Sequence, residues 1–120
     1  MKKIIIIGSR RRNTADDYIR IKKQFFAIYR KGDIIVSGGC KKGGDKFAER
    51  IALSFNIPKR IFKPDLKKYG SPAAFFIRNT EVAEFGDEMI ASVALDRTGG
   101  TEDTIKKFKR FHPKEIIHLC

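Results

Sequence analysis

The sequence predicts a three-layer α/β fold, in which a five-strand, mainly parallel sheet carries helices on both faces. Two observations lead to it. Short β-rich runs alternate with amphipathic helical segments along the whole chain, in the order βαβαβαβαβ, the pattern of a parallel sheet covered on both sides. The first run, Lys3–Ile7, also carries four consecutive β-branched isoleucines rather than an alternating pattern, as expected of a strand buried on both faces. Right-handed crossovers then make 3-2-1-4-5 the expected strand order.

Each element has its own signal. After the strand Lys3–Ile7, residues Thr14–Arg30 show helical spacing. Tyr18 and Ile19 recur seven positions on as Phe25 and Phe26, Tyr29 extends the stripe, and Gly32 is placed to close the helix as a C-cap glycine. Asp33–Ser37 reads as the second strand and Gly38–Gly44 as a turn. Asp45–Phe55 reads as a helix whose inner face is Phe47, Ala48, Ile51, Ala52 and Phe55. Pro58 breaks it. Arg60–Lys63 is a short third strand and Pro64–Gly70 a loop. Ser71-Pro72 is a helix start, with a capping hydroxyl followed by proline at the first helical position. The helix runs to about Phe85, with a break expected near Arg78. Asp87–Leu95 is the fourth strand and Asp96–Gly100 a turn. Thr101 is the expected cap of a last helix carrying Ile105, Phe108 and Phe111. Pro113 stops that helix, and Glu115–Leu119 is the fifth strand. The whole is a Rossmann-like arrangement. In such sheets ligands bind at the strand C-terminal ends, where the strand order reverses between strands 1 and 4.

Composition narrows the class. With 120 residues, 42% of them hydrophobic and 33% charged, the chain is expected to form one globular domain spanning 1–120. Met1-Lys2-Lys3 before four isoleucines resembles the start of a signal peptide, but Gly8-Ser9-Arg10-Arg11-Arg12 ends the run at once, so the protein is expected to be cytoplasmic with no membrane partner. Cys40 and Cys120 match no metal-ligand spacing and no disulfide framework, and no motif calls for a metal or cofactor. The net charge of +12 draws anions, whether nucleotide phosphates or a nucleic-acid backbone.

Four groups of residues converge on the predicted ligand edge. Gly8-Ser9-Arg10 follows strand 1, where Gly8 permits a tight turn, Ser9 offers a hydroxyl and Arg10 a forked cation suited to phosphate. Ser37-Gly38-Gly39, with Gly43 and Asp45, surrounds the second turn. Its glycines let backbone N–H groups approach an anion at a helix N-terminus, and Asp45 either binds a ribose hydroxyl or caps the helix. Arg78-Asn79, with Glu81 nearby, forms the third group. Gly99-Gly100-Thr101 opens the last helix as a second potential phosphate cradle.

Taken in this order, Gly8-Ser9-Arg10, Ser37-Gly38-Gly39, Gly43, Asp45, Arg78-Asn79, Asp87 and Gly100-Thr101 resemble the SLOG superfamily, and most closely its small stand-alone members of the YpsA-type branch. The resemblance covers nearly the whole chain. It implies a Rossmann-like domain that senses or processes a nucleotide-related ligand. Two relatives imply more specific functions. In the Lonely Guy phosphoribohydrolases, which cleave the base from a nucleoside monophosphate, an arginine before strand 4 corresponds to Arg78, and the Gly-Thr of a Pro-Gly-Gly-x-Gly-Thr-x-x-Glu motif corresponds to Gly100-Thr101. The motif's glutamate falls on Thr104, one position after Asp103 and two after Glu102. The DNA-processing protein A family is similar in Gly-Ser-Arg, Ser-Gly-Gly and the Arg-Asn segment, and it implies binding of single-stranded DNA.

The primary expectation is therefore a nucleotide-like small-molecule ligand. As an enzyme, the chain would cleave an N-glycosidic bond. Arg78 would then hold the phosphate, and a carboxylate, with Glu81 preferred over Glu102 and Asp103, would stabilise the cationic sugar carbon. As a nucleic-acid binder, it would bind weakly and lose affinity steeply with salt. A homodimer covering exposed helix faces is the expected assembly.

Overall fold

The computed structural model describes all residues, Met1–Cys120. Five strands form one sheet: β1 (Lys3–Gly8), β2 (Ile34–Ser37), β3 (Lys59–Ile61), β4 (Glu88–Ser92) and β5 (Ile117–Leu119). Their spatial order is β3-β2-β1-β4-β5, with every neighbouring pair parallel, as the alternation of elements predicts. Helices α1 (Ala15–Ile28) and α2 (Gly44–Phe55) cover one face, and α4 (Ala73–Phe85) and α5 (Gly100–Phe111) the other. The chain thus has a three-layer, Rossmann-like α/β fold. No helix is long and apolar enough to cross a membrane.

The continuous isoleucine run of β1 explains this layering. Alternate side chains leave opposite faces of a strand. Ile4 and Ile6 join Tyr18, Ile21 and Phe25 of α1 and Phe47, Ala48 and Ile51 of α2 in one core. Ile5 and Ile7 join Val82 and Ala83 of α4 and Ile105 and Phe108 of α5 in the other. Ile4, Ile5 and Ile6 have no exposed surface, so β1 is the spine of the molecule. The outer strands β3 and β5 have three residues each.

Several boundaries differ from the sequence expectation. Helix α1 ends at Ile28 with Tyr29 as its cap, and Gly32, at φ 99°, serves the Arg30–Asp33 turn instead. Of the doubled aromatic pattern on α1, Tyr18 and Phe25 are buried while Ile19 and Phe26 are exposed. Adjacent helical residues lie about 100° apart and cannot both face inward. Phe55 and Phe111 also lie outward, at 47% and 42% exposure; Phe55 meets Phe26 edge to face with ring centroids 4.7 Å apart. The expected loop after β3 contains a one-turn helix, α3 (Leu66–Tyr69), capped by the Asp65 side chain. Helix α4 is unbroken at Arg78, and Pro72 rather than Ser71 is its cap. Strand β4 stops at Ser92, because its partner β1 ends at Gly8, directly opposite. Helix α5 is capped by Gly99, so Thr101 lies inside the first turn.

Candidate functional site

All four βα connections open at the C-terminal edge of the sheet, and a cleft of about 700 Å³ lies there. Its lining draws on the loop after β1 (Gly8–Arg11), the turn after β2 (Gly38, Cys40, Asp45), the start and middle of α4 (Pro72, Phe75, Phe76, Arg78, Asn79) and the start of α5 (Thr98–Thr101, Asp103). The volume is within the usual range for a small-molecule site. Of the residues the sequence singles out, Gly8, Ser9, Arg10, Gly38, Asp45, Arg78, Asn79, Gly99, Gly100 and Thr101 line it. Ser37, Gly39, Gly43 and Glu81 do not.

Two glycines of the β2–α2 turn meet backbone directly. A Cβ on Gly44 would lie 2.2 Å from the Ile7 carbonyl carbon, and one on Gly43 would lie 2.3 Å from the Ser9 oxygen. The N-terminus of α2 is therefore packed directly on the end of β1. The Gly43 N–H donates to Asn13 Oδ1 at 2.8 Å, and the Cys40 N–H donates to Asp45 Oδ2 at 3.1 Å. These two N–H groups are committed inside the protein. Gly38 makes room for a side chain: a Cβ there would lie 2.8 Å from the Arg78 guanidinium.

The α5 terminus is the contrasting case. Gly100 has no heavy atom within 4 Å of an added Cβ, and no side chain caps the helix. Space and unpaired helix-end polarity coincide there, the combination that favours an anion.

Arg78 is held by two hydrogen bonds. Its guanidinium donates to the Gly38 carbonyl, and its Nε donates to Asn79 Oδ1 at 2.9 Å. Asn79, buried at 6% exposure, passes the connection on by donating from Nδ2 to Asp103 Oδ2 at 3.0 Å, where Lys107 Nζ also donates at 2.9 Å. Asn79 is thus the positioning residue that locks the arginine fork, which explains the adjacent Arg-Asn pair. Arg10 reaches the same turn from the other side, with Nε 3.2 Å from Cys40 Sγ. Neither Arg10 nor Arg78 forms an ion pair; Arg11, which does, grips Asp96 at 2.8 Å and Thr98. The Arg11 hydrogen bond, aided by Thr98, holds the Asp96 carboxyl at about 2, so this clasp between the β1 and β4 loops persists through neutral pH.

Two carboxyls face the cleft, Asp45 and Asp103. Glu81 is exposed on α4 and forms no ion pair with Arg78, although it lies one turn away. Around the helix, position 81 lies about 60° from 78 on the side away from 79, about 160° from the buried Asn79, and so turns to solvent. Burial pushes the Asp45 carboxyl above its ordinary value, against the opposing pull of the Cys40 N–H and the Arg78 charge. The Ser37 hydroxyl beside it donates to the Ile6 carbonyl and also pulls the Asp45 carboxyl downward, yet burial is the largest cause and sets the direction. A raised folded-state value means that the stabilisation is complete below the unfolded value near 3.8 and is lost as pH rises through the folded one. Asp45→Asn cannot ionise and still accepts from Cys40. The variant is expected to gain stability relative to wild type as pH rises from 4 to 8, measured by urea midpoints. A gap that narrows over this range would contradict the assignment.

Sequence reasoning did not single out Arg11, Phe75, Phe76 or Thr98 for the cleft. The three consecutive arginines after β1 were the available signal for Arg11. No protein family, curated protein or solved structure matches this chain.

Proposed function

We propose that the chain binds a nucleotide or nucleotide derivative in this cleft, as a ligand-binding module of the SLOG type. The observation that carries the reading is the pair of guanidiniums, Arg10 from the loop after β1 and Arg78 from α4, which line the cleft without forming a direct ion pair. A forked cation that is not locked in an ion pair is suited to phosphate oxygens. The open α5 terminus at Gly99-Gly100-Thr101 supplies a second anion-favouring element, and Phe75 and Phe76 supply apolar surface for a base.

Thermal-shift measurement with nucleoside mono-, di- and triphosphates tests the reading. A nucleotide at about 100 times its dissociation constant adds about 2.7 kcal/mol, or roughly 10 °C in the melting midpoint of a protein this size. No shift with any nucleotide would sink it.

A catalytic version of this reading has one specific support. Asp103, rather than Glu81, lines the cleft beside Asn79 and Arg78. If N-glycosidic cleavage occurs, the carboxylate facing the sugar is Asp103. Release of free base from nucleoside monophosphates, retained in Glu81→Ala and lost in Asp103→Asn, is the corresponding result.

A further inference from the structure

Beside the main cleft lies a second recess of about 430 Å³ whose lining contains no carboxylate and five cations, Arg11, which is paired with Asp96 outside the recess, and Arg10, Lys41, Lys42 and Arg78, which form no ion pair. Arg10, Arg11 and Arg78 line both cavities, so the two are continuous across the guanidiniums. Lys41 and Lys42 face only the recess; both are exposed and neither forms an ion pair. The remaining lining is Gly39, Cys40, Pro64 and Phe75. Acceptors suited to a sugar or base, Asp103, Asn79 and Thr101, are confined to the main cleft.

We infer that this recess is a second anion subsite, and that the ligand is a nucleotide carrying two or more consecutive phosphates. The inference rests on the nucleotide reading above and deepens it. The nucleoside occupies the main cleft, the first phosphate lies between Arg10 and Arg78, and the rest of the chain enters the recess toward Lys41 and Lys42. Like charges gathered in a small recess repel one another, and an anion of high charge density relieves that repulsion. Consecutive phosphates provide that density. Along a nucleic-acid strand a sugar separates each phosphate from the next, and the cations would be strung out as a track instead.

Titration calorimetry with adenosine and guanosine mono-, di- and triphosphates at about 0.15 M salt tests this, using the full chain and the double variant Lys41→Ala/Lys42→Ala. The triphosphate is expected to bind at least about tenfold more tightly than the monophosphate of the same base. In the double variant that ratio collapses toward one, with monophosphate affinity nearly unchanged. Lys106→Ala/Lys109→Ala, which removes the same charge from the exposed side of α5, is expected to preserve the ratio. Three results would overturn the inference: equal binding of mono- and triphosphate, a uniform loss across all three in the first variant, or an equal collapse of the ratio in the second. Tighter binding of single-stranded oligothymidylate than of any triphosphate, abolished in the first variant, would assign the recess to a nucleic-acid strand. Monophosphate binding without chain-length dependence removes only the subsite; no binding by any nucleotide removes the nucleotide reading as well.

Discussion

Alanine at position 44 is expected to cost about 3 kcal/mol or more of folding stability, while alanine at position 100 costs almost nothing. Both are glycines at the N-terminus of a sheet-flanking helix, and both belong to glycine pairs of similar appearance in the sequence. They differ in what surrounds them. The added methyl at position 44 would lie 2.2 Å from the Ile7 carbonyl carbon and 2.3 Å from the Gly8 nitrogen. Those atoms belong to the central strand, fixed on one side by β2 and on the other by β4, so neither can retreat. At position 100 the methyl meets open space, and alanine is the better helix former by up to about 1 kcal/mol. Chemical denaturation of the two variants separates the cases. Similar losses in both would mean that the close approach of α2 to β1 does not govern stability. Gly100→Ala has a second use: a stable variant with weakened nucleotide binding would locate the ligand against the α5 terminus.

Removal of Arg78 is expected to weaken nucleotide binding by about two orders of magnitude, the range for losing charge-assisted hydrogen bonds in a partly enclosed site. Arg78→Lys should recover only a minor part, because an ammonium keeps the charge but not the fork. Lysine also cannot make the Nε bond to Asn79 while donating to both Gly38 and a ligand. Calorimetric titration of the two variants reads this directly. Circular dichroism melts monitor the loss of the bonds from Arg78 to Gly38 and Asn79, and so separate an effect on folding from one on binding. Full affinity in Arg78→Ala would move the anion site away from α4.

The sheet was legible because its causes are local. An unbroken β-branched run, breaker residues between elements and alternation of types lead to parallel order without knowledge of any contact. The ends of elements were less so, because they depend on neighbours. Strand β4 was expected to reach Leu95, and its apolar residues would permit that, but β1 offers no partner beyond Gly8. The helix faces show the same limit. Phe55 and Phe111 satisfy the spacing of an inner stripe, yet each sits at the last position of its helix and is left half exposed.

In the site, residue types in the right loops placed Arg10, Arg78, Asn79 and Gly100 on the cleft. Sequence spacing alone did not distinguish a glycine that accommodates a strand from one that faces open space. It also favoured Glu81, one turn from Arg78, whereas Asp103 comes to Asn79 from another helix, through a contact between residues 24 positions apart. The cationic recess joins segments 10–11, 41–42 and 78, which only the folded crossovers bring together.

The two outermost strands bear on how copies of this chain can meet. A sheet edge is a template for recruiting another strand, and proteins blunt it by shortening it or charging it. Both edges here have three residues, and β3 presents Lys59 and Arg60 to solvent. A second copy docked edge to edge on β3 would set cation against cation along a ladder too short to compensate. Continuous sheet growth, the route to fibrous aggregates, is thus disfavoured at that border.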